Sequence, residues 1–98
     1  MKRHAIIYDR NAILDLAELH SWVGIETSER IASAYLKRIR LFCRQLRHFP
    51  HRGVQRDDIR HGVRIITFEG RVDIAFEVKG DRVIIIRALY AGRQFDGD

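Results

Sequence analysis

The sequence holds one cysteine, Cys43, one proline, Pro50, one tryptophan, Trp22, and only three lysines. A lone cysteine excludes an internal disulfide and a four-cysteine zinc site, and it fits a reducing compartment, so a cytoplasmic location is expected. The run Val83–Ile86 is far short of the roughly 20 apolar residues a membrane span needs, so no membrane partner is expected. The start, with Ile6 and Ile7 met at once by Asp9 and Arg10, lacks the apolar region and small-residue cleavage site of a signal peptide. Tracts rich in Pro, Gly or Ser are missing, as are repeats, so residues 1–98 read as one domain with no linker.

What is present is a core and an excess of arginine. Hydrophobic residues make up 46% and charged residues 32% of the 98, enough apolar material to pack and too much for wholesale disorder. Lys and Arg number 18 against 13 acidic residues, a net +5, and all but three of the 18 are Arg. The planar guanidinium fork suits phosphates and carboxylates, so the charge points to a polyanion or an acidic protein, or to no partner if the arginines are simply solvated.

Residues 3–8 read as a first strand. Asn11 is a candidate cap for a helix whose stripe is Ala12, Leu16, Leu19 and Val23, with Gly24 as its expected stop. Thr27 or Ser28 can cap a second helix with Glu29 in its first turn. Its expected buried stripe is Ile31, Tyr35, Ile39, Phe42, Leu46 and Phe49, widened by Ala32, Leu36 and Cys43 and ended by Pro50. The short link between them implies an antiparallel helical hairpin. Residues 51–61 read as an irregular loop. Val63–Phe68, a Glu69-Gly70 turn, the alternating Val72–Val78, and the doubly apolar Val83–Tyr90 read as strands, the last one central. Residues 91–98 read as a mobile polar end. The expected fold class is α+β, in the order β-α-α-β-β-β: an N-terminal strand, the hairpin, then a three-stranded antiparallel meander, with two layers.

These residues resemble the ParE branch of the ParE/RelE superfamily of type II toxins. The likeness rests on the element order, on Pro50-His51-Arg52-Gly53 after the second helix, on Gly62-Val63-Arg64, on Ile74-Ala75-Phe76-Glu77-Val78, and on the ending Ile86-Arg87-Ala88-Leu89-Tyr90-Ala91-Gly92-Arg93-Gln94-Phe95-Asp96. The resemblance implies a toxin neutralised by a cognate ParD-like antitoxin, with a dimeric DNA-binding N-terminus and a helical C-terminal segment. It implies DNA gyrase as the target, held without catalysis. The alternative from the RelE branch is ribosome-dependent cleavage of messenger RNA. Asp73 where RelE enzymes carry Arg, and a chain ending at Asp98 without a Tyr-bearing helix, count against cleavage.

The target-binding candidates are Arg64, Arg87, Arg93, Gln94, Phe95 and Asp96. Arg87 lies in the most apolar strand and needs a partner, either Asp73 or Glu77 in a structural bridge or a functional ligand. Phe95 lies where nothing evident buries it, which makes it an interaction anchor. Arg44, Arg47, Arg52, Arg56, Arg60 and Arg71 form, with Arg64, a basic patch facing nucleic acid, an acidic antitoxin or gyrase. Trp22 reads as partly buried core before it reads as a binding hot spot. His48, His51 and His61 read as loop residues, and their Cys-x4-His-x2-His spacing with Cys43 is discounted as a metal site because Cys43 falls on an apolar face. Asp57 and Asp58 read as a solvated turn. No cofactor, metal or catalytic residue is assigned.

Overall fold

The computed structural model describes residues 3–97. Met1, Lys2 and Asp98, the ends of the expected single domain, lie outside the described residues. Strand β1 (Ala5–Tyr8) leads into helix α1 (Arg10–Glu26) and helix α2 (Glu29–Arg44). A 3-10 turn (Gln45–Arg47) and strands β2 (Val54–Gln55), β3 (Val63–Phe68), β4 (Val72–Lys79) and β5 (Arg82–Leu89) follow. The sheet order is β1-β5-β4-β3-β2.

The fold class is α+β, as the sequence implies. The sheet is mixed, since β1 runs parallel to β5, pairing Ala5 with Arg82 and Tyr8 with Ile85. Beyond β5 all neighbours are antiparallel. The loop expected over 51–61 contains β2, held to β3 through Val54↔Ile65 and Gln55↔Arg64. Two residues paired in a stretch of polar character leave too short a period to read.

Helix α1 starts one residue before the expected cap. Asp9 is the N-cap in extended conformation with no side-chain cap bond, so Asn11 lies inside the helix. Gly24 does not stop it. An added Cβ there would lie 3.8 Å from the Ala32 Cβ, so the glycine sits where the helices cross. The end comes at Thr27, whose hydroxyl and amide both donate to the Val23 carbonyl, at 2.6 and 2.8 Å. Ser28 caps α2, accepting from the Ile31 amide at 3.1 Å. The hairpin is antiparallel, since His20 meets Ser33 while Gly24, further along α1, meets the earlier Ala32.

The buried face of α2 is rotated from the expected stripe. Ala32, Leu36, Ile39 and Cys43 are its buried residues, and Leu46 follows in the 3-10 turn. Ile31 and Phe49, the two ends of the expected stripe, are exposed. Apolar residues cover more than half of this helix's circumference, so periodicity identified a helix and left its rotation open.

The helices cover one face of the sheet, where Leu16, Leu19, Leu36, Ile39, Phe76 and Ile85 pack together. A second cluster, Val63, Ala75, Ile86, Leu89 and Phe95, lies on the other face. A β-bulge serves both. Ala75 pairs with Arg87 but Phe76 pairs with Ile85, leaving Ile86 as the extra residue. An inserted residue shifts the alternation of a strand by one. Val83 and Ile85 face the helices before the bulge, while Ala88 and Tyr90 do so after it.

Candidate functional site

The α1–α2 crossing leaves a groove of about 800 Å³ between the end of α1, the start of α2, the β3–β4 turn and the residues after β5. Its floor carries Leu19, Val72 and Tyr90, which are buried. Its walls carry Trp22, 48% exposed, and Ile31, 53% exposed. Trp22 leans on Tyr90 with ring centroids 5.6 Å apart. Tyr35 meets Phe68 edge-on at 5.7 Å. A large, half-exposed aromatic beside buried apolar floor is the makeup of an interface anchor.

Charge rims this groove. Arg38 lies 5.1 Å over the Tyr35 ring and grips Glu69 with two bonds, Nε to Oε2 at 3.2 Å and Nη2 to Oε1 at 3.0 Å. Arg71 stands on the same rim. Opposite, Arg93 lies 4.9 Å over Tyr90 and donates to Glu18 at 2.7 Å. That bond and the Arg93 charge hold the Glu18 carboxyl below its usual range. Burial, then the Glu18 charge, raises the Tyr90 phenol above its usual range.

Arg87 finds neither Asp73 nor Glu77. Its partner is Asp15, a buried carboxylate on α1 that accepts Arg87 Nε at 2.7 Å and Nη2 at 3.0 Å, and the Ala88 amide at 3.0 Å. A helix residue 72 positions away is beyond any local spacing argument, and Asp15 reads in sequence as one polar residue among apolar neighbours. Asp73 instead accepts the Thr67 hydroxyl at 2.8 Å. Arg64 donates to the His51 carbonyl at 3.0 Å, tying β3 to the loop that carries Gly53.

Phe95 is a correction. It is 7% exposed and packs into the second cluster with Val63, Ala75, Ile86 and Leu89. The segment through Phe95 therefore folds across the sheet face that the helices leave open, and a Cβ added at Gly97 would lie 3.5 Å from the Ile59 carbonyl oxygen. Composition made residues 91–98 look mobile because the apolar surface that receives Phe95 is assembled from three strands, two of them, β3 and β4, distant in sequence. Gln94 and Asp96 are exposed on either side of Phe95.

The basic patch does not form one surface. Arg71 rims the aromatic groove, whereas Arg44 and Arg47 line a separate groove with Tyr8 and Arg40. Arg52 donates to Gln45 at 3.0 Å, Arg56 grips Asp58 with two bonds of 3.0 Å, and Arg60 lies 3.6 Å from Glu77. Sequence clustering joined them, but the fold places Arg71 on one groove and Arg44 and Arg47 on another. Cys43 is buried, its thiol pushed up to about 11 by desolvation. Among the described residues no group of three or more His, Cys, Asp or Glu comes together to hold a metal ion, and no helix is long and apolar enough to cross a membrane.

This arrangement, a helical hairpin on one face of a mixed five-stranded sheet, is a fold shared with solved structures. One described as the chromosomal ParDE TA system from P. aeruginosa superimposes with a TM-score of 0.79 at 22% identity, over 90% of this chain and 96% of that one. Comparison with curated proteins gives no significant match. The family model for the ParE toxin of the type II toxin-antitoxin system, parDE, matches residues 6–95. The chain belongs to the ParE toxin family.

Proposed function

We propose that the 1–98 chain acts as one toxin domain in the cytoplasm, inhibits DNA gyrase by non-covalent binding, and is neutralised by a cognate ParD-like antitoxin. The observation that carries this reading is the family match across residues 6–95. The aromatic groove supports the antitoxin half. An amphipathic helix can lay apolar side chains against Trp22, Ile31 and Tyr35 while acidic and basic residues meet Arg71 and the Arg38–Glu69 pair. The engaged arginines support binding over RNA cleavage. A phosphoryl-transfer centre needs cations aimed at a reacting phosphate. Arg87 and Arg93 are each held by a carboxylate at 2.7 Å, and Asp73 would repel a phosphate nearby.

Purified chain added to gyrase and relaxed plasmid should abolish supercoiling, and an antitoxin C-terminal peptide should restore it. Programmed ribosomes should keep their transcripts intact. Severed transcripts with unaffected supercoiling would reverse the assignment to the RelE-type alternative. Trp22 is the lone tryptophan, so its emission reports on the groove directly. Antitoxin peptide should shift it to the blue, and Ile31→Asp should abolish both the shift and the rescue.

A further inference from the structure

Seven of the fifteen arginines are engaged by oxygen partners. Arg38, Arg56, Arg60, Arg87 and Arg93 meet carboxylates, and Arg52 and Arg64 donate to neutral oxygens. The surplus charge therefore collects elsewhere. Lys37, Arg40, Arg44 and Arg47 recur at spacings of three, four and three, which places them on one side of α2 and its 3-10 extension. Among the described residues none of the four has a carboxylate partner. Arg40, Arg44 and Arg47 line one groove of about 400 Å³ with Ala5, Ile6 and Tyr8. The adjoining groove, which shares Arg40 and Tyr8, holds no carboxylate either. Arg47 Nε is buried there without a hydrogen-bond partner. Arg40 and Arg44 lie close enough to Tyr8 to act on its hydroxyl.

A structural role does not account for this row. The macrodipole of α2 favours a cation in its last turn, which covers Arg44. It does not reach Lys37 and Arg40, one to two turns earlier. Four like charges along one ridge repel each other, and the chain places no acid among them. At 1.5 Å per residue the row extends about 15 Å, long enough to meet several phosphates of a duplex, which carries one charge per about 1.7 Å. A protein interface would interleave aromatic anchors, and here Tyr8 is the only aromatic. A nucleic-acid backbone needs none.

We infer that the ridge Lys37–Arg40–Arg44–Arg47 binds the phosphate backbone of double-stranded DNA. The contact is with phosphates alone and carries no sequence preference. It flanks the buried face of α2 beside β1 and is separate from the aromatic groove, so it does not depend on the gyrase reading.

The test is fluorescence anisotropy of a labelled duplex of arbitrary sequence, titrated with the full chain from low to physiological salt. Lys37→Gln/Arg40→Gln/Arg44→Gln removes three exposed charges from the ridge. Arg10→Gln/Arg71→Gln/Lys79→Gln removes three exposed charges from elsewhere. The ridge triple should weaken binding at least about tenfold at low salt and flatten the slope of log affinity against log salt by about 3. The control triple should change affinity less than about threefold. Melting temperatures of both triples check that each is folded. Amide NMR shifts on adding duplex to the unsubstituted chain should centre on residues 37–47 and on β1, which tests the site without any variant. Equal loss in both triples, shifts centred on residues 56–64, or displacement of duplex by poly-glutamate of equal charge would each overturn the inference. So would the lack of saturable binding at low salt.

Discussion

Replacing Asp15 with leucine removes the one carboxylate that receives Arg87 and the Ala88 amide together. The Asp15 side chain is 7% exposed and that of Arg87 23%, so neither charge is well hydrated. Removing one partner of a buried ion pair costs about 3–5 kcal/mol, chiefly from the charge left behind. Arg87 keeps some access to water, which puts the expected loss near 3 kcal/mol for Asp15→Leu. Arg87→Met leaves Asp15 still bonded to the Ala88 amide and should cost about 2 kcal/mol. The double variant has no stranded charge and loses mainly the amide's acceptor, so it should also cost about 2 kcal/mol or less. The coupling in this cycle is then about 3 kcal/mol. Urea unfolding of the four proteins with a shared m-value reads it. Thermal melts should show Asp15→Leu lower by about 12–24 °C, at 4–8 °C per kcal/mol for a domain this size. If Asp15→Leu lies within 1 kcal/mol of the parent, or the double variant costs the sum of the two singles, the bridge is not what ties α1 to β5.

Other outcomes follow from single contacts. Phe95→Ala should cost about 1–2 kcal/mol, less than a core phenylalanine because the end of the chain can detach, and should open residues 93–97 to carboxypeptidase. Gly53→Ala should cost about 2–4 kcal/mol, since φ is +84° and the new Cβ would lie 2.6 Å from the Ile65 carbonyl oxygen. Gly80→Ala, at φ +61° with open space around it, should cost only about 1 kcal/mol, and urea melts of the pair separate clash from backbone strain. The Cys43 thiol is raised to about 11 from 9.0, so the folded state holds its proton longer than the unfolded chain. Its contribution to stability is full below pH 9 and is lost as pH climbs toward 11. Reaction with a disulfide reagent at pH 8 should be slow and track unfolding; a fast phase in native protein would refute the burial. Glu18 is depressed below 4.5, so its tie to Arg93 holds above that value and is lost as pH falls beneath it. The protection factor of the Arg93 amide, its exchange rate normalised to the unstructured rate at the same pH, should therefore fall at pH 3 relative to pH 6, and an unchanged factor would show that the tie does not order that residue.

Much of the fold could be read from local chemistry. Ser28 before Glu29, the alternation of Val72–Val78 and the Glu69-Gly70 turn each commit a few residues to one backbone state, and the helices and strands stand where those signals put them. The helical ends were less legible. Gly24 tolerates a stop but also permits close packing against Ala32, and only the neighbouring helix decides between the two. The rotation of α2 was open for a related reason. Ile31, Tyr35 and Phe49 are as apolar as Leu36 and Cys43, and burial went to the smaller and aliphatic side, which fits against Leu16 and Ile85. Trp22 and Ile31 were thus left at the surface, and the groove they line had no signal of its own in the sequence.

Sequence alone determined the α+β class, the positions of the helices and the main strands, the excess of arginine and the likeness to ParE toxins, because each depends on residues close together or on totals. Tertiary structure decided the partners. Asp15 found Arg87, the sheet face found Phe95, and β1 chose β5 in parallel, because pairing across the chain is settled by which surfaces meet when the layers close. The same closing sorted the basic residues, neutralising those that faced carboxylates and leaving Lys37, Arg40, Arg44 and Arg47 among those without one.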